Sequence, residues 1–122
     1  MKNISTAVLL LLLFSQSFAG DFDKGLDAYL DEDFATALKY YRPMAEQGDA
    51  AAQALLGLMY EKGNGVIKDP VYAHMWYNIS ASLGDENASK NRDSISKRMT
   101  PEQIAKAQDL ARECVKKNYK GC

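Results

Sequence analysis

The tetrapeptide Ser94-Ile95-Ser96-Lys97 matches the S-x-x-K motif. In serine β-lactamases and penicillin-binding proteins this spacing puts a lysine where it can help to activate the serine as a nucleophile. The partner motifs S-D-N and K-T-G are absent from the sequence. Serine and lysine are common in this chain, so one such match is expected by chance. An enzyme-like role in β-lactam or peptidoglycan chemistry through Ser94 and Lys97 is therefore the runner-up interpretation.

The stretch Gly63-Asn64-Gly65, followed by Lys68, suggests a loop that cradles phosphate. A phosphate-binding P-loop requires a preceding strand, a longer glycine spacing and a Lys-Ser or Lys-Thr ending, and none of these is found here. We therefore interpret the glycines as a turn between two helices.

Metal and acid-base chemistry receive little support. His74 is the only histidine, and the chain has no Cys-x-x-Cys pair to complete a zinc site with it. The acidic residues 31–33 fit a solvated turn better than a catalytic pair. We expect no catalytic residue, no metal and no cofactor.

The composition describes one ordinary globular domain. Of the 122 residues, 47% are hydrophobic and 25% are charged, and the formal net charge is −1. A chain this close to neutral gives no support for a nucleic-acid partner. The partner we expect is another protein or a peptide, and we expect the chain itself to be a monomer.

The first 19 residues have the pattern of an export signal. Lys2 precedes an apolar run over residues 7–14, and small residues at Ser17 and Ala19 follow where a signal peptidase would cut. The run is shorter than the roughly 20 apolar residues that span a bilayer, so we expect no membrane span. The pattern predicts cleavage of residues 1–19 and a periplasmic or secreted product.

The remaining sequence repeats with a period of 36 residues. This shift superimposes Ala37 on Ala73 and Tyr41 on Tyr77, and it aligns further small, aromatic and acidic positions in the same way. A period of this length with helical content is typical of stacked helix pairs in a solenoid.

The central repeat shows its helix boundaries most clearly. A first helix over residues 51–62 should end at Gly63, with Gly65 turning the chain again. Asp69 should cap a second helix that begins at residue 70 and ends before Gly84.

Gly57 lies inside the first of these helices, where glycine costs about 1 kcal/mol relative to alanine. We expect close approach of the second helix to offset this cost, since small Ala73 and bulky Trp76 and Tyr77 lie on it.

Shorter copies flank this repeat. Helices are expected over residues 22–30 and 34–47 before it, and over residues 86–97 and 101–115 after it, which makes six helices in three pairs. Pro43 falls inside the second helix and should bend or split it. We divide the mature chain into a partial repeat (20–48), a complete repeat (49–84) and a degenerate repeat with a cap (85–122).

The central stretch resembles the Sel-one-like (SLR) repeat, a relative of the tetratricopeptide repeat. The residues that carry the resemblance are Leu56, Gly57, Tyr60, Gly63, Gly65, Val66, Asp69, Ala73, Trp76, Tyr77, Ala81 and Gly84. The resemblance implies an all-α, right-handed α/α superhelix of about two and a half helix-turn-helix repeats with a C-terminal capping helix. It also implies an exported, bacterial protein-interaction module, an adaptor or scaffold that is not an enzyme.

Cys114 and Cys122 are the only cysteines. In an exported chain an even pair suggests a disulfide within the chain, with a bond between chains or two free thiols as alternatives. The family resemblance also implies pairing, because cysteine-rich relatives pair cysteines at this spacing.

For a partner-binding face, solenoid geometry indicates the outward side of the first helix of the central repeat. The candidate residues are Tyr29, Gln53, Leu56 and Tyr60. Aromatic anchors on such a face are typical binding hot spots.

The disulfide can be tested by mass. Forming one bond within the chain removes two hydrogen atoms, so a monomer from the native compartment should be lighter by that mass on non-reducing analysis. A monomer of full mass would contradict the bond.

Overall fold

The computed structural model describes residues 20–122, and the predicted export signal lies outside that range. Six helices cover most of it: α1 (residues 20–30), α2 (Phe34–Glu46), α3 (Ala50–Lys62), α4 (Pro70–Ser82), α5 (Glu86–Ser96) and α6 (Pro101–Lys116). This part of the chain contains no strand. The prediction of an all-α helical repeat solenoid is confirmed. None of these helices is long and apolar enough to cross a bilayer.

Aspartates begin four of the helices. The carboxylates of Asp33, Asp49, Asp69 and Asp85 each accept a hydrogen bond from a backbone N–H in the first turn of the helix that follows. Asp33 and Asp69 are 36 residues apart, and so are Asp49 and Asp85. Each cap stabilises its helix by about 1 kcal/mol. The 36-residue period of the sequence is therefore the spacing at which capped helix N-termini recur.

A glycine beneath a tyrosine ring joins the helices of the first two pairs, α1–α2 and α3–α4. A Cβ on Gly57 of α3 would lie 2.6 Å from Cδ1 of Tyr77, and a Cβ on Gly25 of α1 would lie 2.9 Å from Cε1 of Tyr41. The expected close approach of α4 at Gly57 is thus observed, with Tyr77 as the approaching group. In both pairs the backbone of one helix receives the tyrosine ring of the next.

The two glycines are 32 residues apart, whereas the two tyrosines are 36 apart. The difference arises because residues 63–69, which join α3 to α4, form a longer connection than residues 31–33, which join α1 to α2. A single 36-residue shift therefore does not align Gly25 with Gly57.

Residues 63–69, which we call the elbow, contact the preceding helix pair. Gly63 ends α3 in the left-handed conformation, with φ 72°. The side-chain amide of Asn64 donates to the hydroxyl of Tyr29 at 3.2 Å, and a Cβ on Gly65 would lie 2.9 Å from Cβ of Phe34. The interpretation of these glycines as only a turn between two helices is therefore incomplete, because the elbow also packs against the preceding helix pair.

Helix α4 is the centre of the core. It packs against α3, α5 and α6, and seven of its residues are buried, including Ala73, Trp76 and Tyr77. The bulky aromatic residues predicted for this helix therefore fill the space between three neighbours.

The C-terminal tail folds back on α6 and on the turn between α2 and α3. The sulfur atoms of Cys114 and Cys122 lie 2.05 Å apart, at the distance of the disulfide predicted within the chain. Beyond α6, Nζ of Lys120 donates to the carbonyl of Glu46 at 2.9 Å. The ring of Tyr119 lies beside the turn that contains Gly48. The tail therefore covers the turn between α2 and α3.

Pro43 does not split α2, which runs without a break from Phe34 to Glu46. The proline removes one hydrogen bond, to the carbonyl of Lys39, and both residues are exposed. Because Pro43 lies in the last turn on the solvent side, water can satisfy that carbonyl and the helix continues.

His74 lies on the buried side of α4, with 2% of its surface exposed. Within residues 20–122 its Nδ1 has no hydrogen-bond partner. Burial, and secondly the charge of Arg92 on α5, lower the pKa of His74 below its ordinary value of 6.5, while Asp93 acts in the opposite direction. The folded chain therefore favours neutral His74.

The Gly57→Ala variant should be less stable than the parent chain by about 1–3 kcal/mol, because the added methyl group meets the ring of Tyr77. Helix propensity alone predicts the opposite sign, since alanine favours helix by about 1 kcal/mol over glycine. Urea unfolding gives the difference, and in a Tyr77→Leu background the penalty should shrink. A stabilised Gly57→Ala variant would contradict the interlock.

His74 should make the fold acid-sensitive. As the pH falls below about 6.5, His74 of the unfolded chain takes up a proton that the folded chain resists, so the free energy of unfolding decreases. His74→Gln removes this contribution. The free energy of unfolding of the variant, relative to that of the parent, should therefore increase as the pH is lowered from about 7.5 to about 5.5. Parallel stability curves for the two proteins would show that His74 titrates equally in both states.

Candidate functional site

Two of the residues predicted to bind a partner lie in the core. Gln53 and Leu56 are both 0% exposed, and the side-chain amide of Gln53 donates to the carbonyl of Ala45 at 3.1 Å. The expectation that they line an outward face is wrong. The face of α3 that carries them packs against the preceding helix pair, so no partner can reach them.

Tyr29 and Tyr60 are half-buried and belong to aromatic pairs within the domain. The ring of Tyr29 packs edge-on against Phe34 at 5.3 Å, and the ring of Tyr60 stacks on Tyr72 at 5.4 Å. Each tyrosine contributes to packing between helices, and a binding role for either residue stays a prediction.

An open apolar groove lies instead between α4 and α6. Its volume is about 400 Å³, and we call it the α4/α6 groove. Its lining residues are Asn78, Ile79, Ser82, Ala111, Arg112, Val115 and Lys116. Two of these lining side chains, Ser82 on α4 and Ala111 on α6, are small and leave space between the helices.

The floor and rim of the groove differ in chemistry. Ile79 and Ala111 are largely buried, whereas Val115 keeps 46% of its surface exposed. Arg112 and Lys116 stand along one side and are both exposed. Among residues 20–122, no acidic side chain lines the groove. The site is thus an apolar trough with a basic rim, which suits an apolar side chain accompanied by carboxylates.

Neighbouring ion pairs leave this rim only partly neutralised. Arg112 contacts the carboxylate of Asp109, and both side chains are about two-thirds exposed. On the other side, Arg92 of α5 donates to the side-chain oxygen of Asn78 at 3.0 Å and holds it in place. Lys116 makes no ion pair within the described part of the chain.

A sequence signal for the groove existed but was ambiguous. The apolar stripe of α6 includes Ala107, Ala111, Cys114 and Val115. The first three are buried against the domain, and Val115 is not. An apolar stripe on α6 that is wider than α4 can cover has two interpretations. It belongs either to a broader core or to an exposed binding site, and only the packing of α6 on α4 shows which one applies.

The serine and lysine of the S-x-x-K motif lie outside this groove. Both Ser94 and Lys97 are exposed at the end of α5. The contact between them is a backbone hydrogen bond of 3.3 Å that belongs to the helix terminus. Neither side chain lines the α4/α6 groove.

The backbone N–H groups at the start of α4, where an anion could bind, are already hydrogen-bonded within the chain. The carboxylate of Asp69 already accepts from the backbone N–H groups of Val71 and Tyr72 at 3.0 and 3.2 Å. A phosphate there would have to displace this internal carboxylate. Within residues 20–122 there is also no group of three or more side chains that could hold a metal ion.

A partly exposed polar cluster links the connection between α5 and α6 to the α3–α4 pair. The hydroxyl of Tyr77 donates to Glu61 at 2.9 Å, and Arg98 donates to the other oxygen of that carboxylate at 3.3 Å. Burial, and secondly the bond to Glu61, raise the pKa of Tyr77 well above its ordinary range. The tyrosine therefore stays protonated, and the cluster acts as a structural clamp.

Comparison with known proteins agrees with this architecture. Over 72 residues, 59% of this chain, the sequence is 36% identical to chitin synthase regulatory factor 3 of Schizosaccharomyces pombe, of which the match spans 8%. The fold is similar to the crystal structure of c5321, a protective antigen of uropathogenic Escherichia coli strains that displays an SLR fold. That similarity has a TM-score of 0.73 and 28% identity, and it covers 84% of this chain and 24% of the other.

The Sel1 repeat family matches residues 15–49 and 50–85, which together make up more than half of the chain. The second match contains the complete α3–α4 pair with its elbow. With its repeated caps, its glycine–tyrosine interlocks and these two matching repeats, the chain belongs to the Sel1 repeat family.

Proposed function

We propose that this chain is an exported adaptor without catalytic activity, which binds another protein or a peptide in the α4/α6 groove. The observation that carries the proposal is the groove itself, an accessible apolar surface with a basic rim on two rigid helices. Sel1 repeats in general mediate protein binding, so a binding surface is the expected functional element of such a domain.

The chemistry of the groove favours a macromolecular partner over a small molecule. It is open along its length, and it is made of side chains from two helices with no convergent set of polar groups at one point. Small-molecule sites enclose most of their ligand and orient it with a few placed polar groups. An open trough instead suits the side of a helix or an extended segment.

Export is supported by two independent features. The pattern of residues 1–19 is that of a cleaved signal, and the disulfide between Cys114 and Cys122 is of a kind that persists in oxidising compartments. The similar Escherichia coli protein is a protective antigen, which is consistent with a location that antibodies reach. We place the mature chain in the periplasm or outside the cell.

A non-catalytic role is supported by the placement of the candidate nucleophile. Ser94 and Lys97 are both exposed at the end of α5, and neither lines the α4/α6 groove. The relative from Schizosaccharomyces pombe is named a chitin synthase regulatory factor, which is consistent with a role other than catalysis.

Site-specific photocrosslinking in the native compartment tests the proposal. A photoreactive residue at Val115, in the groove, should give one dominant crosslinked protein. The same residue at Ala105, exposed on α6 outside the groove, should not. The captured protein, once purified, should bind the mature chain and lose that binding with Val115→Asp but keep it with Lys90→Glu on α5. Crosslinking to no protein from Val115 would contradict the proposal and favour a purely structural domain.

A further inference from the structure

Helix α1 presents an exposed apolar side chain framed by acids. Leu30 has 70% of its surface exposed at the C-terminal end of α1. Asp27, one turn earlier on the same side of the helix, and Asp31, the next residue, are both exposed. We call Asp27, Leu30 and Asp31 the α1 ridge. Lys24 is the one cation of α1 within residues 20–30, so the ridge remains acidic.

The ridge and the α4/α6 groove are complementary in shape and in charge. The ridge is a projecting leucine between carboxylates, and the groove is an apolar trough beside Arg112 and Lys116. Leu83 adjoins the groove in sequence and is itself 45% exposed. Burying Leu30 against Ile79 and Val115 would remove apolar surface from water on both sides.

The charges can pair without breaking existing contacts. Arg112 has five N–H donors, and its contact with Asp109 engages only one of its terminal nitrogens. Lys116 is without an ion-pair partner in residues 20–122. Arg112 and Lys116, four residues apart along one side of the groove, can therefore meet Asp27 and Asp31, which are also four residues apart.

We propose that the α1 ridge of one copy docks in the α4/α6 groove of a second copy. The inference rests on the proposed function, because it assigns an occupant to the same groove. The two surfaces differ, so the contact is head-to-tail, and each assembly keeps one free ridge at one end and one free groove at the other. The area is small, so the association is weak and grows with protein concentration. Self-association thereby competes with a foreign partner for the groove.

Charge reversal on either side should abolish this association. Sedimentation velocity of the mature chain over a concentration series should show reversible dimers and longer species, which decrease at high salt. Arg112→Glu with Lys116→Glu makes the groove as acidic as the ridge, and Asp27→Lys with Asp31→Lys makes the ridge as basic as the groove. Each double variant alone should associate at least about tenfold more weakly than the parent.

Mixing the two double variants is the decisive measurement. In the mixture, each acidic surface again meets a basic one, so association should return to the level of the parent. Lys90→Glu with Lys106→Glu is the matched control, since it changes net charge as much as the groove variant but leaves the groove intact. Leu30→Ser tests the apolar contact and should weaken association without any change of charge.

Several results would overturn the proposal. The mature chain could remain a monomer throughout the series, the mixture could fail to recover association, or the control could lose association as fully as the groove variant. Thermal unfolding of each variant checks that it is folded, and all the substituted side chains are on the surface. A monomeric parent that still crosslinks a foreign protein through Val115 would refute self-association and leave the proposed function standing. Failure of both experiments would remove the groove as a binding site.

Discussion

The contact between the ring of Tyr77 and the backbone of α3 at Gly57 is the constraint on which the rest of the domain depends. Glycine is an unfavourable helix residue, but here any side chain would occupy the space of the ring. The distance between α3 and α4 is therefore set by one missing Cβ. The same device joins α1 to α2 through Gly25 and Tyr41. Because the same glycine–tyrosine contact occurs in both, the α1–α2 and α3–α4 pairs are similar and can stack as repeats.

Stacking of the pairs depends on the elbow. Its second glycine lies against Phe34, and Asn64 bonds to Tyr29, so the connection within one repeat is also the contact between repeats. Once the pairs are stacked, α4 lies in the centre and α6 covers its remaining side. The tail then returns to the turn between α2 and α3, where Lys120 bonds to Glu46, and the disulfide holds the tail on α6.

The proposed binding site follows from how α6 ends this stack. Helix α6 packs on α4 but leaves Val115 exposed. Val115, Ile79, Ser82 and Ala111 line the trough that remains between the two helices. At the other end, Leu30 of α1 is likewise exposed. An apolar surface at each end, with opposite charges around them, is the physical basis for contact between copies.

The sequence by itself determined the local features of this protein. Asp69, Pro70 and Gly63 start and end helices through their own backbone chemistry, so the six helices, the repeat and the family resemblance could all be read from residue types and spacing. Only the tertiary structure decided which side of each helix is covered. Gln53 and Leu56 follow the same helical pattern as exposed residues, and their burial depends on neighbours far away in the chain. The groove was equally invisible, because it is a space between α4 and α6, and its size is set by how two helices cross rather than by any one residue.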